Sequence, residues 1–377
     1  MSALGGYGGY GGYGGYGGYG GYGGYGGYGG YGGYGGYGGY GGAEGSPLLS
    51  DALTRSRAAL VGPFQGATLL PVNLPTPLDK PDRLEHWDVS PRLQVCELEL
   101  LSGIRFDVDQ KLNSVTLGFV DLNKKPFTDA SLACLLRPDA NVFEQQLELV
   151  ANYAELREDR GAEILSQMTP QVPFWASITG MQPHRCKYTG ELIVLALSLA
   201  SHVHMRFKHA FACPRPSELS PQIQPMIPVP GHASWPSGHG TEAFTIAAVL
   251  QALMQSANGT GAQFEEQLQR QAARIAVNRT VAGVHYPVDS AVGRLLGKVI
   301  GDFVVARCQG GKLHERGFDG PSFHGAARKA VDFDLRVSMT DNQSGYYQQL
   351  AGLANIAASP LLEFMWKKAV KEWQPLS

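Results

Sequence analysis

Cysteine is scarce in this sequence, charge is thin, and no apolar run is long. The five cysteines, Cys96, Cys134, Cys186, Cys213 and Cys308, are odd in number, scattered, and never spaced C-x-x-C. That pattern excludes a disulfide framework and a zinc site, and it points to a reducing compartment. Charged residues make up 17% of the chain and sum to a formal −2, with both signs spread along it. Such a balance lacks the basic face that a nucleic-acid binder needs. The most apolar stretch, 192–200, falls well short of the ~18 residues of a spanning helix. Asp289, Arg294, Lys298 and Asp302 break up another. The first residues, Met-Ser-Ala-Leu and then glycines, lack the basic segment and apolar core of a secretory leader. These absences predict a soluble, cytoplasmic protein with no membrane span and no nucleic-acid partner.

Glycine, by contrast, is abundant, and much of it lies in one repeat. Residues 5–42 read Gly-Gly-Tyr twelve times and end in Gly41-Gly42. No core forms from such a segment, and glycine carries the largest backbone entropy cost, so a disordered tail is expected over 1–42. A polyproline-II helix has three residues per turn and would line the tyrosines on one face, which is a route to self-association. A Pro- and Gly-rich wrapping segment with few short strands is expected at 43–127. A helical core follows at 128–308, then an extension at 309–377 that ends in a helix.

Within the core, helical periodicity covers 142–167, where the charge run Arg157-Glu158-Asp159-Arg160 reads as a solvated face. Thr189 is placed to cap an apolar helix that runs to about His209. Further helices are expected from Thr241 to a stop at Asn258-Gly259, over 264–279, over 287–308, and from Ser359-Pro360. Four or more helices and few strands predict a mainly α protein, a helical bundle.

Three stretches of this core carry chemistry. In the first, Lys208 ends an apolar helix and Arg215 is held between Pro214 and Pro216, which limits the freedom of its loop. The second is Trp235-Pro236-Ser237-Gly238-His239-Gly240 at a helix start, where free amides and a positive partial charge suit an anion. The third runs from Arg279 through His285 to Asp289. The four-residue spacing of His285 and Asp289 lets the carboxylate hold one ring nitrogen and leaves the other neutral and nucleophilic. A lone lysine, arginine or histidine is more often a surface charge or a packing residue; the conjunction of all three stretches is what points to an oxyanion site.

The order K-x6-R-P, P-S-G-H and R-x5-H-x3-D resembles the superfamily of type 2 phosphatidic acid phosphatases and vanadium-dependent haloperoxidases. The resemblance covers Lys208 to Asp289. It implies that Lys208, Arg215, Ser237, Gly238 and Arg279 bind the oxyanion, that His239 is the acid–base, and that His285, backed by Asp289, is the nucleophile or the vanadium ligand. Most members have serine before the third-stretch arginine, whereas this chain has Asn278, which puts one supporting contact in question.

Two activities follow from the resemblance. One is vanadate-dependent oxidation of a halide by hydrogen peroxide, the other hydrolysis of a phosphomonoester through a phosphohistidine with no cofactor. Long segments outside the core and His232, seven residues before His239 where the resemblance implies a halide-tuning residue, incline the sequence reading to the haloperoxidase branch. A third reading is a self-assembling structural protein driven by the tail, and the tail tyrosines are also conceivable targets of halogenation. For the second nitrogen of His239 the sequence offers only Asp139, Asp159 and Glu163 as carboxylate partners.

Overall fold

The computed structural model of the chain describes residues 47–63, 66, 75–122, 127–169 and 171–374. The Gly-Gly-Tyr tail, its order and any self-association through it lie outside the described residues. The chain divides into one unit of residues 1–78 with 168–170 and another of residues 79–167 with 171–377. In the first unit the described element is helix α1 (Pro47–Leu60), where the proline-rich composition had suggested no regular structure. Its proline stands at the first position, where no amide is needed, and Asp51 pairs with Arg55 one turn later.

The second unit begins with α2 (Val89–Leu101), in a stretch whose short alternations had suggested strands. Leu93, Cys96 and Leu100 recur at helical spacing and are buried together. Strands β1 (Ile104–Asp109), β2 (Ser114–Asp121) and β3 (Thr128–Leu136) then form an antiparallel meander. Helices α3 (Ala140–Tyr153), α4 (Arg157–Ser166) and α5 (Val172–Thr179) lead to the long α6 (Lys187–Phe211) and the short α7 (Pro216–Leu219). Next come α8 (Gly238–Asn258), α9 (Gly261–Val281) and α10 (Pro287–Gln309). After β4 (Gly311–Asp319) and β5 (Tyr347–Ile356) the described chain closes with α11 (Pro360–Glu372).

The unit is mainly α, a helical bundle, with one five-stranded sheet in the order β1-β2-β3-β4-β5. Only the β3–β4 pair is parallel, so the extension that sequence left irregular returns to the sheet beside β3. The core gathers around α8, whose Phe244, Ile246 and Leu250 pack with Ile275 and Ala276 of α9. On its other side α8 lies against α10, where Gly293, Gly297 and Gly301 form a seam one turn apart. A methyl at Gly301 would stand 2.6 Å from Ala248 Cβ, and one at Gly293 would stand 3.2 Å from Ser237 O. The two helices thus meet backbone on backbone and on the Cβ atoms of Phe244 and Ala248, and the N-terminal ends of α8 and α10 are held side by side.

Two sequence expectations shift in detail. Thr189 does not cap α6; it lies inside the helix, and Glu372 of α11 supplies the acceptor. The Glu372 carboxylate takes the amides of Tyr188 (2.7 Å) and Thr189 (2.9 Å), satisfying donors that a helix start leaves open. The charged run on α4 is not merely solvated, because Arg157 Nε donates to Val281 O (2.9 Å) and Arg160 Nη1 to Asn278 Oδ1 (3.2 Å). Among the described residues no helix is long and apolar enough to cross a membrane.

Candidate active site

Three helix boundaries bring the sequence stretches together. Lys208 sits in the last turn of α6, and Ala212 beyond it adopts the left-handed conformation that ends the helix. Arg215 stands at the start of α7, where the Glu218 carboxylate accepts its backbone amide and Pro216 fixes the next residue. Ser237 caps α8, its Oγ accepting from Gly240 N (3.2 Å), so the amides of Gly238 and His239 are the ones left to an anion. The serine hydroxyl keeps its own proton to donate. Asp289 lies in the first turn of α10, and its carbonyl accepts from Ser237 N (3.0 Å), which ties the two helix starts directly.

The cations are not surface charges. Lys208, Arg215 and Arg279 are each 1% exposed. Burial, with Arg215 nearby, pulls the Lys208 ammonium well below its usual range. Its Nζ donates to the carbonyls of Ala233 (2.9 Å) and Ser234 (2.6 Å), so it also braces the loop before Trp235. Burial lowers Arg279 to about 10. Arg279 Nη2 donates to Ile164 O and Gln167 Oε1, both at 3.2 Å, while its Nε and Nη1 are buried without a partner among the described residues. Buried guanidinium N–H groups left unpaired carry a free-energy cost that an anion would offset.

His285 is built as a neutral ring with one open lone pair. Its Nδ1 is 2.6 Å from Asp289 Oδ2, which also accepts from Ser234 Oγ and from Tyr286 N (3.2 Å). A carboxylate only accepts, so Nδ1 carries the proton and Nε2 holds the lone pair. Arg215 Nη1 donates to that Nε2 (3.0 Å), as only a lone pair allows. Burial first, then the charges of Arg215 and Lys208, hold the ring far below the usual imidazole range, so it is neutral near pH 7.

His239 is held differently. Its Nε2 lies 3.1 Å from the backbone carbonyl of Gln167, which corrects the expected carboxylate partner. Asp139 and Asp159 are exposed, and Glu163 is engaged by Arg274 through Nε (2.8 Å) and Nη2 (2.7 Å). A carbonyl also only accepts, so the proton sits on Nε2 and Nδ1 is the nitrogen left to exchange one. Burial and then the Arg279 charge depress the ring to about 4.

His232 is half-buried and accepts from Arg215 Nη2 at Nδ1 (3.0 Å), so it joins the site by steadying a cation. Burial and then Lys208 lower it to about 4. Asn278 donates to Gln167 Oε1 (3.0 Å), the contact that replaces whatever a serine would make there. Gly238 has its own reason in this chain, since a methyl there would stand 3.1 Å from Cε1 of the buried His204 ring.

Four residues of the site escaped the sequence reading: Gln167, Ser234, His204 and Glu242. His204 Nε2 is 3.1 Å from Glu242 Oε1, one helical turn along from Lys208 and from Gly238–His239. Position one turn from a motif residue is the only signal that sequence offered for this pair. Together the site offers a neutral nucleophilic nitrogen, a second ring with an exchangeable proton, three buried cations and helix-start amides. That set suits the attack of a nucleophile on a tetrahedral oxyanion and the charge of its five-coordinate state.

Residues 190–310 match the family model described as the PAP2 superfamily, a span that holds every residue of the motif. No curated protein matches the chain. Among solved structures it is similar to the crystal structure of a transmembrane PAP2 type phosphatidylglycerolphosphate phosphatase from Bacillus subtilis. The identity is 17% and the TM-score 0.34, with 42% of this chain and 83% of that chain covered.

Proposed function

We propose that this chain, whose residues 190–310 match the PAP2 superfamily model, hydrolyses a phosphomonoester through a phosphohistidine on His285. The observation that supports this reading is the fixed ring of His285, with Nδ1 on Asp289 (2.6 Å) and the Nε2 lone pair against Arg215 (3.0 Å). Phosphoryl transfer is put first because every group it needs is a residue of the chain.

In the first step Nε2 attacks phosphorus while the ester P–O bond breaks. Arg215 turns from the lone pair to a phosphoryl oxygen, joined by Lys208, Arg279 and the amides of Gly238 and His239. The leaving oxygen takes a proton from Nδ1 of His239. That ring is neutral without substrate, with its pKa near 4; a bound dianion favours its protonated form and equips it as the acid. In the second step a water gives a proton back to Nδ1 and attacks phosphorus, the P–N bond breaks, and inorganic phosphate leaves. Asp289 stabilises the cationic ring of His285 while phosphorus is attached.

A second reading rests on His232. Vanadate has the same tetrahedral shape and charge class as phosphate, and the Arg279 donors left without a partner among the described residues, with the Nε2 lone pair, fit either anion. His285 would ligate it, with Lys208, Arg215, Arg279, Ser237 and Gly238 around its oxygens. When bound it supplies activation of hydrogen peroxide for halide oxidation. The contact of His232 with Arg215 puts an imidazole at that edge of the site, where the haloperoxidase reading expects one.

A paired assay on the purified chain tests both readings. Hydrolysis of p-nitrophenyl phosphate by the protein as isolated, with phosphorus trapped on His285, is the expected result. Vanadate-dependent bromination with no phosphatase turnover would put the second reading first.

A further inference from the structure

The partner of His239 Nε2 that the sequence left open is the backbone carbonyl of Gln167, and that residue has a role in two parts of the site at once. Gln167 is fully buried. Its backbone carbonyl receives His239 Nε2 (3.1 Å), and its side-chain Oε1 receives Arg279 Nη2 (3.2 Å) and Asn278 Nδ2 (3.0 Å). Its amide Nε2 donates to Glu163 Oε1 (2.9 Å), and its backbone N–H donates to Glu163 O (3.0 Å). Asn278 in turn accepts from Arg160 Nη1 (3.2 Å).

Each of these contacts has a defined direction. Oε1 accepts from two donors, which saturates it, and Nε2 of the amide donates outward to Glu163, so the side chain has one orientation that satisfies all its partners. In that orientation Nη2 of Arg279 is occupied, and the guanidinium is held with Nε and Nη1 without a partner among the described residues. The carbonyl of the same residue fixes the tautomer of His239. We propose that Gln167 is the positioning residue that couples the oxyanion-binding Arg279 to the acid–base His239, and that it does so as an uncharged clamp. The proposal rests on the phosphoryl-transfer reading of the site for the meaning of His239, but its geometry is independent of turnover.

The absence of charge matters for both partners. A carboxylate in place of the amide would pair with Arg279 and compete with the substrate for it. It would also hold a proton on the His239 ring, which now lies between the charges of Arg279 and Glu242. A neutral clamp leaves the Arg279 charge and its Nε and Nη1 donors to the anion and leaves the His239 proton under the control of the substrate. Asn278 belongs to the same arrangement: the amide that departs from the superfamily's usual serine is the second donor on Oε1.

The test uses the full chain labelled with 15N at histidine, with inorganic phosphate as the probe and calorimetry as the binding readout. The parent is expected to show His239 as the Nε2–H tautomer. In Gln167→Glu the ring pKa is expected to rise by about one unit or more, and phosphate binding to weaken by about tenfold or more, with p-nitrophenyl phosphate KM rising in step. Gln167→Met keeps the volume and removes the acceptor; it is expected to weaken phosphate binding by about threefold or more while the ring pKa stays near that of the parent. An Nδ1–H tautomer in the parent overturns the proposal. So does a Gln167→Glu variant with parental phosphate affinity and an unmoved ring. Should the glutamate variant fail to fold, a methionine variant that binds phosphate as the parent does overturns it equally. A parent that binds phosphate but turns over no phosphomonoester sinks the reaction assigned above and leaves these binding and NMR outcomes intact.

Discussion

His285 and His239 stand at the starts of two adjacent helices, and the protein holds them in opposite ways. Each ring has one nitrogen tied down and one left for chemistry. His285 is tied to the buried carboxylate of Asp289 (2.6 Å), and His239 to the neutral carbonyl of Gln167 (3.1 Å). A carboxylate supports the ring when it becomes positive, as a nucleophile must on forming a P–N bond. A carbonyl fixes the tautomer and, having no net charge, favours the protonated ring less than a carboxylate would, as suits a group that gives a proton in one step and takes it in the next. The same residue type is thus divided into two roles by the charge behind it.

Four experiments sharpen or break that contrast, in order of expected effect. His285→Ala removes the nucleophile and is expected to lower kcat/KM by roughly 10⁴-fold or more, with no acid-labile phosphoenzyme in a rapid-quench experiment. Retention of the phosphoenzyme would move the nucleophile elsewhere. His239→Ala is expected to cost roughly 10²–10⁴-fold, most for alkyl phosphates and least for p-nitrophenyl phosphate, whose leaving group needs no proton. An equal loss across leaving groups would contradict the acid role. Asp289→Asn keeps the shape but offers His285 a neutral partner like that of His239, and roughly 10²-fold lower kcat with KM little changed is expected. A parental rate for that variant would erase the distinction drawn here.

The smallest effect concerns stability and pH. Burial depresses His204, His232, His239 and His285, with His232 and His239 at about 4. Their folded values lie below the unfolded 6.5, so the unfolded chain binds more protons between these limits, and stability is full above pH 6.5 and falls as the pH drops toward 4. Asp289, raised by burial to about 6, acts in the opposite sense over the same range. Burial raises Glu315 and Glu372 in the same sense as Asp289, but four rings outweigh three carboxyls, and Tm is expected to drop by roughly several degrees from pH 7 to pH 5 in thermal melts. A flat or rising profile would mean that the rings are not held neutral.

The same contrast shows what sequence makes legible. Lys208, Arg215, Ser237, His239, Arg279, His285 and Asp289 announce themselves because each lies at a helix boundary written in local residues: Pro216, Gly238, Pro287. The stop at Gly259 and the start at Pro360 are local in the same sense. Gln167 is 72 residues from His239, and Ser234 is 55 from Asp289; nothing in the spacing of either pair foretells the contact. The fold divides along the same line. Helix periodicity located α8 and α10, but β4 has meaning only through β3, which it joins after the whole core has intervened, and β5 only through β4. Likewise Thr189 looked like a cap because the true acceptor, Glu372, arrives from α11, 183 residues away.

The bare seam between α8 and α10 has a consequence for how this site tolerates change. Where helices meet through side chains, a swap of one apolar residue for another lets the pair slide by a fraction of an ångström, and neighbours repack. At Gly293, Gly297 and Gly301 there is nothing to repack, because backbone rests on backbone and on the Cβ atoms of Phe244 and Ala248. The separation of the His239 and His285 rings is therefore set by the girth of the polypeptide itself. Ordinary drift in the core cannot retune it, whereas a single methyl on that seam would prise the two helix starts apart.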